Sequence, residues 1–140
     1  MKGKAEEILA EAESWILTPF HHRACIKGVG VDCAHFLIGV FSNVGMGGPP
    51  GQQVEEYPPD WHFHRSEERF LAYIKKYCRE VKSPKPGDIA MFRFGRCASH
   101  GAIVVEWPRV IHAYKGQGVV YSDADQAELQ GRLHSFWRAK

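Results

Sequence analysis

One cysteine and two histidines carry the chemistry that this sequence offers. Cys33 follows Asp32 in "KGVGVDCAHFLIGVF", residues 27–41, behind Gly28 and Gly30 and at the head of an apolar run. Phe36, Leu37, Val40, Phe41 and Val44 recur at helical spacing, so a helix starts near Cys33 with Asp32 as its N-cap. The first turn of a helix presents unpaired N–H groups and about half a positive charge. Such a field favours a thiolate and draws a cysteine pKa down from about 8.5. The same N–H groups can hold an oxyanion. Asp32 opposes the field, so its carboxylate is expected to point away or to be spent on capping.

A thiol nucleophile needs a base. The chain has eight histidines, and His100 and His112 stand out because they fall in consecutive strand-like segments twelve residues apart. If Glu106, Trp107 and Pro108 form a three-residue loop, Val105 faces Arg109 and Ala102 faces His112. His100 then lies diagonal to His112 on the same sheet face, whereas a two-residue loop puts the two on opposite faces. Same-face imidazoles suit a relay in which His100 activates Cys33 and His112 orients His100. A lone cysteine at a helix start is nonetheless more often structural, and a strand histidine is more often a satisfied residue than a catalyst.

The elements that must position these groups can be read along the chain. Residues 3–16 form an amphipathic helix, with Ile8, Leu9, Ala12, Trp15 and Ile16 on one face and glutamates on the other. Thr18-Pro19 ends it, and residues 20–31 are irregular. The Cys33 helix runs to about Val44. Residues 45–61 make a long loop dense in Gly and Pro, and 66–78 make a third helix capped by Ser66 with Glu67 and Glu68 in its first turn. Strands follow at 89–94, 100–106, 109–114 and 118–122, separated by turn residues. The tail holds one helical turn and a last strand in "LHSFWRA". Helices first and an antiparallel meander after them predict an α+β fold, with 1–140 as one domain.

Composition narrows the function classes. The 140 residues are 44% hydrophobic and 24% charged with a net charge of +2, which excludes a disordered chain. No basic stripe marks a nucleic-acid binder, and "YIKKYCREVKSPK" (73–85) reads as a solvated helix face and loop. No apolar stretch approaches the ~18 residues of a membrane span. The glutamates of residues 6–13 interrupt any signal-peptide core, so synthesis in the cytoplasm without a signal is expected. Cys25, Cys33, Cys78 and Cys97 form no CxxC pair and read as free thiols. A zinc set of Cys25, His21, His22 and His35 lacks paired spacing, and His62 and His64 read as a loop feature. No metal or other cofactor is expected.

"DCAHFL", "PGDIAMF", "SHGAIVV" and "VIHAY", in that order, resemble the NlpC/P60 family of cysteine peptidases, over roughly residues 14–115. "TPFHHRACIKGVGVDC" with "YPPDWHFH" is similar to the phage-tail branch of that family. The resemblance implies a papain-like α+β fold, with N-terminal helices packed on a mostly antiparallel sheet. It makes Cys33 the nucleophile, His100 the base and His112 the orienting third member. It implies cleavage of peptidoglycan stem peptides, commonly between D-γ-glutamate and diaminopimelate or lysine. Asp32 and Ser99 match positions that help to bind substrate. The implied partners are the peptidoglycan peptide and other phage tail proteins, with no nucleic acid and no membrane. The implied location is a virion tail acting at the bacterial wall. Three positions depart from the family pattern. Ala34-His35 replaces a Ser-Gly pair, with His35 expected to face the cleft or the solvent. Phe20 replaces a tyrosine at a substrate-binding position, where His21 or His22 could compensate. A structural tail component with the same fold and little hydrolytic activity is the alternative.

Overall fold

The structure is a computed structural model that describes residues 3–46, 66–95 and 97–140, with the backbone alone for 66–70 and 97. Helix α1 spans Lys4–Glu13, with Glu6 and Glu7 in its first turn where the helix dipole favours acids. It buries Ile8 and Ala12 and is shorter than the expected 3–16: Leu17 takes a positive φ of 71°. Residues 20–31, expected to be irregular, contain a short antiparallel hairpin of β1 (Cys25–Ile26) and β2 (Gly30–Val31). Helix α2 spans Cys33–Asn43 and is buried from Ala34 to Phe41, as a helix apolar on nearly all sides should be. Gly39 is required there: a Cβ would stand 2.8 Å from the Trp15 ring, which also meets Phe36 edge-on.

Helix α3 (Ser66–Tyr77) stops one residue early and leads into β3 (Cys78–Val81), a strand absent from the sequence reading. The expected Ser66 cap and most of the 45–61 loop lie outside the described side chains and residues. The sheet continues with β4 (Ile89–Phe94), β5 (Cys97–Glu106), β6 (Arg109–Tyr114), β7 (Gly118–Asp123) and β8 (Leu133–Ala139), in the order β3-β8-β4-β5-β6-β7. All pairings within this sheet are antiparallel. The final strand is thus internal. Its place is secured by Arg138, whose guanidinium grips the buried Asp88 carboxylate through two bonds of 2.8 and 2.7 Å.

The strand alternation sorts the core into two layers. Ile89, Met91, Ile103, Ile111 and Val119 face α1, α2 and Ile74 of α3. Ala90, Phe92, Ala102, Val104 and Val110 face the opposite way, onto Ala124 and Leu129. Leu129 belongs to a 3-10 turn, Ala127–Leu129, that closes this second layer. The result is an α+β fold of helices on a mostly antiparallel sheet, as expected.

Two bulges punctuate β5. Opposite β4, Phe92 pairs with His100 and Arg93 with Ala98, leaving Ser99 as the extra residue. Opposite β6, Glu106 pairs with Arg109 and Val104 with Val110, leaving Val105 as the extra one. The β5–β6 turn is therefore the two-residue Trp107-Pro108 rather than the three-residue loop expected. The Val105 bulge restores the register that such a loop would have given, with Ile103 opposite Ile111.

Candidate active site

Cys33 opens α2, and Asp32 caps it. One Asp32 oxygen accepts the His35 backbone N–H and meets His35 Nδ1, both at 2.9 Å. The other accepts the Arg23 N–H at 2.7 Å. Asp32 is thus buried and engaged by protein groups, as a capping role requires. His35 is buried too, 7% exposed, with its ring turned to Asp32 rather than to solvent. The Cys33 sulphur lies 3.9 Å from the Ser99 carbonyl oxygen, against the stretch of β5 that carries His100.

His100 and His112 meet. Nε2 of His100 and Nδ1 of His112 are 2.7 Å apart, inside a cage completed by Phe92, Phe94 and Tyr114. His112 is fully enclosed, and the Val105 bulge is what keeps it on the same face as His100. A two-residue turn without the bulge would have turned it away. Behind His112, Nε2 makes no hydrogen bond and faces Glu128 Oε1 at 3.7 Å. Glu128 escaped the sequence reading because no motif surrounds it. It reaches the site from the 3-10 turn between β7 and β8, and a carboxylate in a polar tail gives no local signal.

Burial sets the protonation states. It pushes the Cys33 thiol well up, and the Asp32 charge adds to this, while the N–H groups of Ala34, Gly101 and Cys33 pull the other way. The helix-terminus field expected to lower this pKa is therefore outweighed. Burial holds His100 well below its ordinary value, and the neighbouring His112 adds to this. Burial also lowers His112 to about 4, against the opposing pull of Glu128. At neutral pH the three groups are a neutral thiol and two neutral imidazoles. Neutral imidazoles are directional, because one nitrogen donates and the other accepts.

The remaining candidates sit around this set. Ser99 is buried and its hydroxyl faces the Phe94 carbonyl at 3.5 Å. Phe20 bridges Val31 of β2, the residue directly before Asp32-Cys33, and packs on the core. His22 is half-buried in the same segment, and the His21 ring covers Gly30, where a Cβ would stand 2.7 Å away. Cys25 turns its thiol to the His35 carbonyl at 3.4 Å. Among the described residues no three His, Cys, Asp or Glu side chains converge as a metal site would need. Trp61, His62 and His64 lie outside the described residues. No helix among the described residues is long and apolar enough to cross a membrane.

The fold and this arrangement define a class. The NlpC/P60 family model matches residues 18–138, and the chain belongs to that family. Among solved structures it is similar to an NlpC/P60 family protein from Bacillus cereus, at 14% identity and a TM-score of 0.70, covering 99% of this chain and 41% of that one. It is similar to the NlpC/p60 domain of the peptidoglycan hydrolase SagA, at 19% identity and a TM-score of 0.64, covering 99% of this chain and all of that one. A third is the peptidoglycan hydrolase RipB from Mycobacterium tuberculosis, at 17% identity and a TM-score of 0.58, covering 95% and 62%. The chain thus spans under half of the Bacillus cereus protein. No curated protein matches it.

Proposed function

We propose that the protein is a cysteine peptidase acting on peptidoglycan stem peptides, with Cys33 as nucleophile, His100 as base and His112 as the residue that orients His100. The observation that carries this is the placement of the Cys33 sulphur against Ser99 on β5, the strand whose next residue, His100, pairs with His112. Membership of the NlpC/P60 family and the likeness to two peptidoglycan hydrolases support the substrate class.

The mechanism follows from the neutral resting state. When His100 Nε2 donates to His112 Nδ1, His100 Nδ1 is left as its basic nitrogen. As Cys33 attacks the amide carbonyl, its proton passes to His100 Nδ1, so thiolate and imidazolium arise together rather than in advance. The N–H groups of Cys33 and Ala34 at the start of α2 hold the oxyanion. His100 then protonates the leaving amine and later takes a proton from the water that cleaves the thioester. Asp32, Ser99, His22 and Phe20 form the substrate-side surroundings. The γ-D-glutamyl-diaminopimelate bond is the proposed scissile amide. Delivery on a phage tail, with other tail proteins as partners, would bring the enzyme to the wall.

Mass spectrometry of muropeptides before and after incubation tests this. Wild type releases fragments, and Cys33→Ala and His100→Ala lower the rate by at least about a thousandfold. Full activity in both variants would falsify the reading. A second reading is a tail component that keeps the fold for docking, favoured by Phe20 at the tyrosine position and by a thiol that holds its proton. Phage carrying Cys33→Ala would then assemble and infect normally.

A further inference from the structure

Glu128 stands outside the three-residue set, yet it faces the one buried side-chain nitrogen among the described residues that has no hydrogen-bond partner. His112 Nε2 lies 3.7 Å from Glu128 Oε1, a separation that a small side-chain movement closes to a hydrogen bond. The backbone around Glu128 is held in an unusual way. Ala127 takes a left-handed φ of 49°, a conformation that is strained for a non-glycine residue. Leu129, fully buried in the second core layer, anchors the other side. Strain on one side and an anchor on the other aim the intervening carboxylate at the relay.

We propose that Glu128 is a positioning residue that sets the direction of the proton relay by fixing the tautomer of His112. This rests on the reading of Cys33, His100 and His112 as that relay. A carboxylate can only accept, so it selects the His112 tautomer with the proton on Nε2. His112 Nδ1 must then be an acceptor, and the hydrogen bond to it is donated by His100 Nε2. His100 is left with an unprotonated Nδ1, the state that can take the thiol proton. The reverse chain, with His112 Nδ1–H donating to His100 Nε2, leaves His100 Nδ1 protonated and unable to act as a base. The 2.7 Å contact between the rings is compatible with both directions, and Glu128 breaks the tie. The groups facing His112 are His100 from β5, Tyr114 from its own strand and Glu128 from the 3-10 turn. Of these only Glu128 is a carboxylate.

Nitrogen-15 NMR of histidine-labelled protein reads the tautomer directly. In wild type, His112 shows a protonated Nε2 and a bare Nδ1. In Glu128→Ala, this preference is lost or reversed. Alkylation of Cys33 by iodoacetamide at pH 7 slows, and kcat on a stem peptide falls by at least roughly tenfold with KM little changed. Glu128→Gln, whose amide oxygen still accepts, retains the tautomer and most of the rate. An unchanged His112 tautomer and alkylation rate in Glu128→Ala overturns the proposal. Should that variant fail to fold, Glu128→Asp, shorter by one methylene, is measured in the same way with the same expected direction. The tautomer and alkylation readouts need no substrate. They decide this proposal even if wild type cleaves no stem peptide, an outcome that would remove the peptidase reading alone.

Discussion

Among the described residues, two buried histidines lie beside carboxylates, and they differ in how closely the pair is joined. His35 and Asp32 touch at 2.9 Å, and the same carboxylate also takes backbone N–H groups from His35 and Arg23. His112 and Glu128 stand 3.7 Å apart, with the facing ring nitrogen unpartnered. The first pair is knotted into the start of α2 and the hairpin before it. Its function is to fix where the helix begins, and hence where Cys33 sits. The second pair leaves a polar atom unsatisfied inside the protein, which costs stability. The fold tolerates that cost at His112, where the unpartnered nitrogen faces a carboxylate that a small movement would bring into contact.

Removing each carboxylate should separate the two pairs. Asp32→Ala strips the helix cap, the partner of His35 and the acceptor of Arg23, and should lower the unfolding free energy by about 4 kcal/mol. Glu128→Ala, which removes a partly exposed group with no closed bond, should cost less than about 1 kcal/mol. Urea titration of both variants measures this, and equal losses would erase the distinction.

The pH dependence of stability sharpens the His112 side. Its folded pKa of about 4 lies below the ordinary histidine value of 6.5. The unfolded chain therefore binds more protons between those values, and stability must fall as the pH drops through that window. His112 alone contributes a loss of up to about 3 kcal/mol, and His100, lowered by the same burial, adds in the same direction. On the alkaline side, Cys33 and Cys78 are both raised above 9.0, so unfolding releases protons and stability declines as the pH rises past that value. Thermal melts across pH 4–10 should show a plateau between these limits. A melting temperature that does not change on acidification would show that the imidazoles are not held neutral.

The smallest effect is expected at the thiol itself. The Asp32 charge helps to keep the proton on Cys33, so the folded Asp32→Asn protein should be alkylated faster than wild type at pH 8, by roughly three- to tenfold. An unchanged rate would mean that burial alone sets the thiol.

Much of this architecture could be read from the chain. β4 and β6 fall at their expected limits because "IAMFRF" and "RVIHAY" are short β-rich runs bounded by turn residues. Asp32-Cys33 marks a helix start because capping chemistry and the apolar period agree there. The β1–β2 hairpin and β3 were missed because strands of two and four residues are too short to show a period. His35 was expected at a cleft or in solvent, since nothing local reveals that Asp32 would draw its ring inward. Glu128 depends on where a distant turn folds back, which no spacing encodes. The His100–His112 contact is the instructive case. Its register was expected from a three-residue loop and arises instead from a shorter turn and a bulge.

That substitution gives β5 a kind of arithmetic. The Trp107-Pro108 turn and the Val105 bulge together occupy as many residues as the longer loop would, and only the total decides which way His112 points. A turn and bulge of the same total length would keep this register, while an isolated insertion or deletion in the hairpin turns His112 away from His100. For this contact, the length of the hairpin decides more than the identity of most of its side chains.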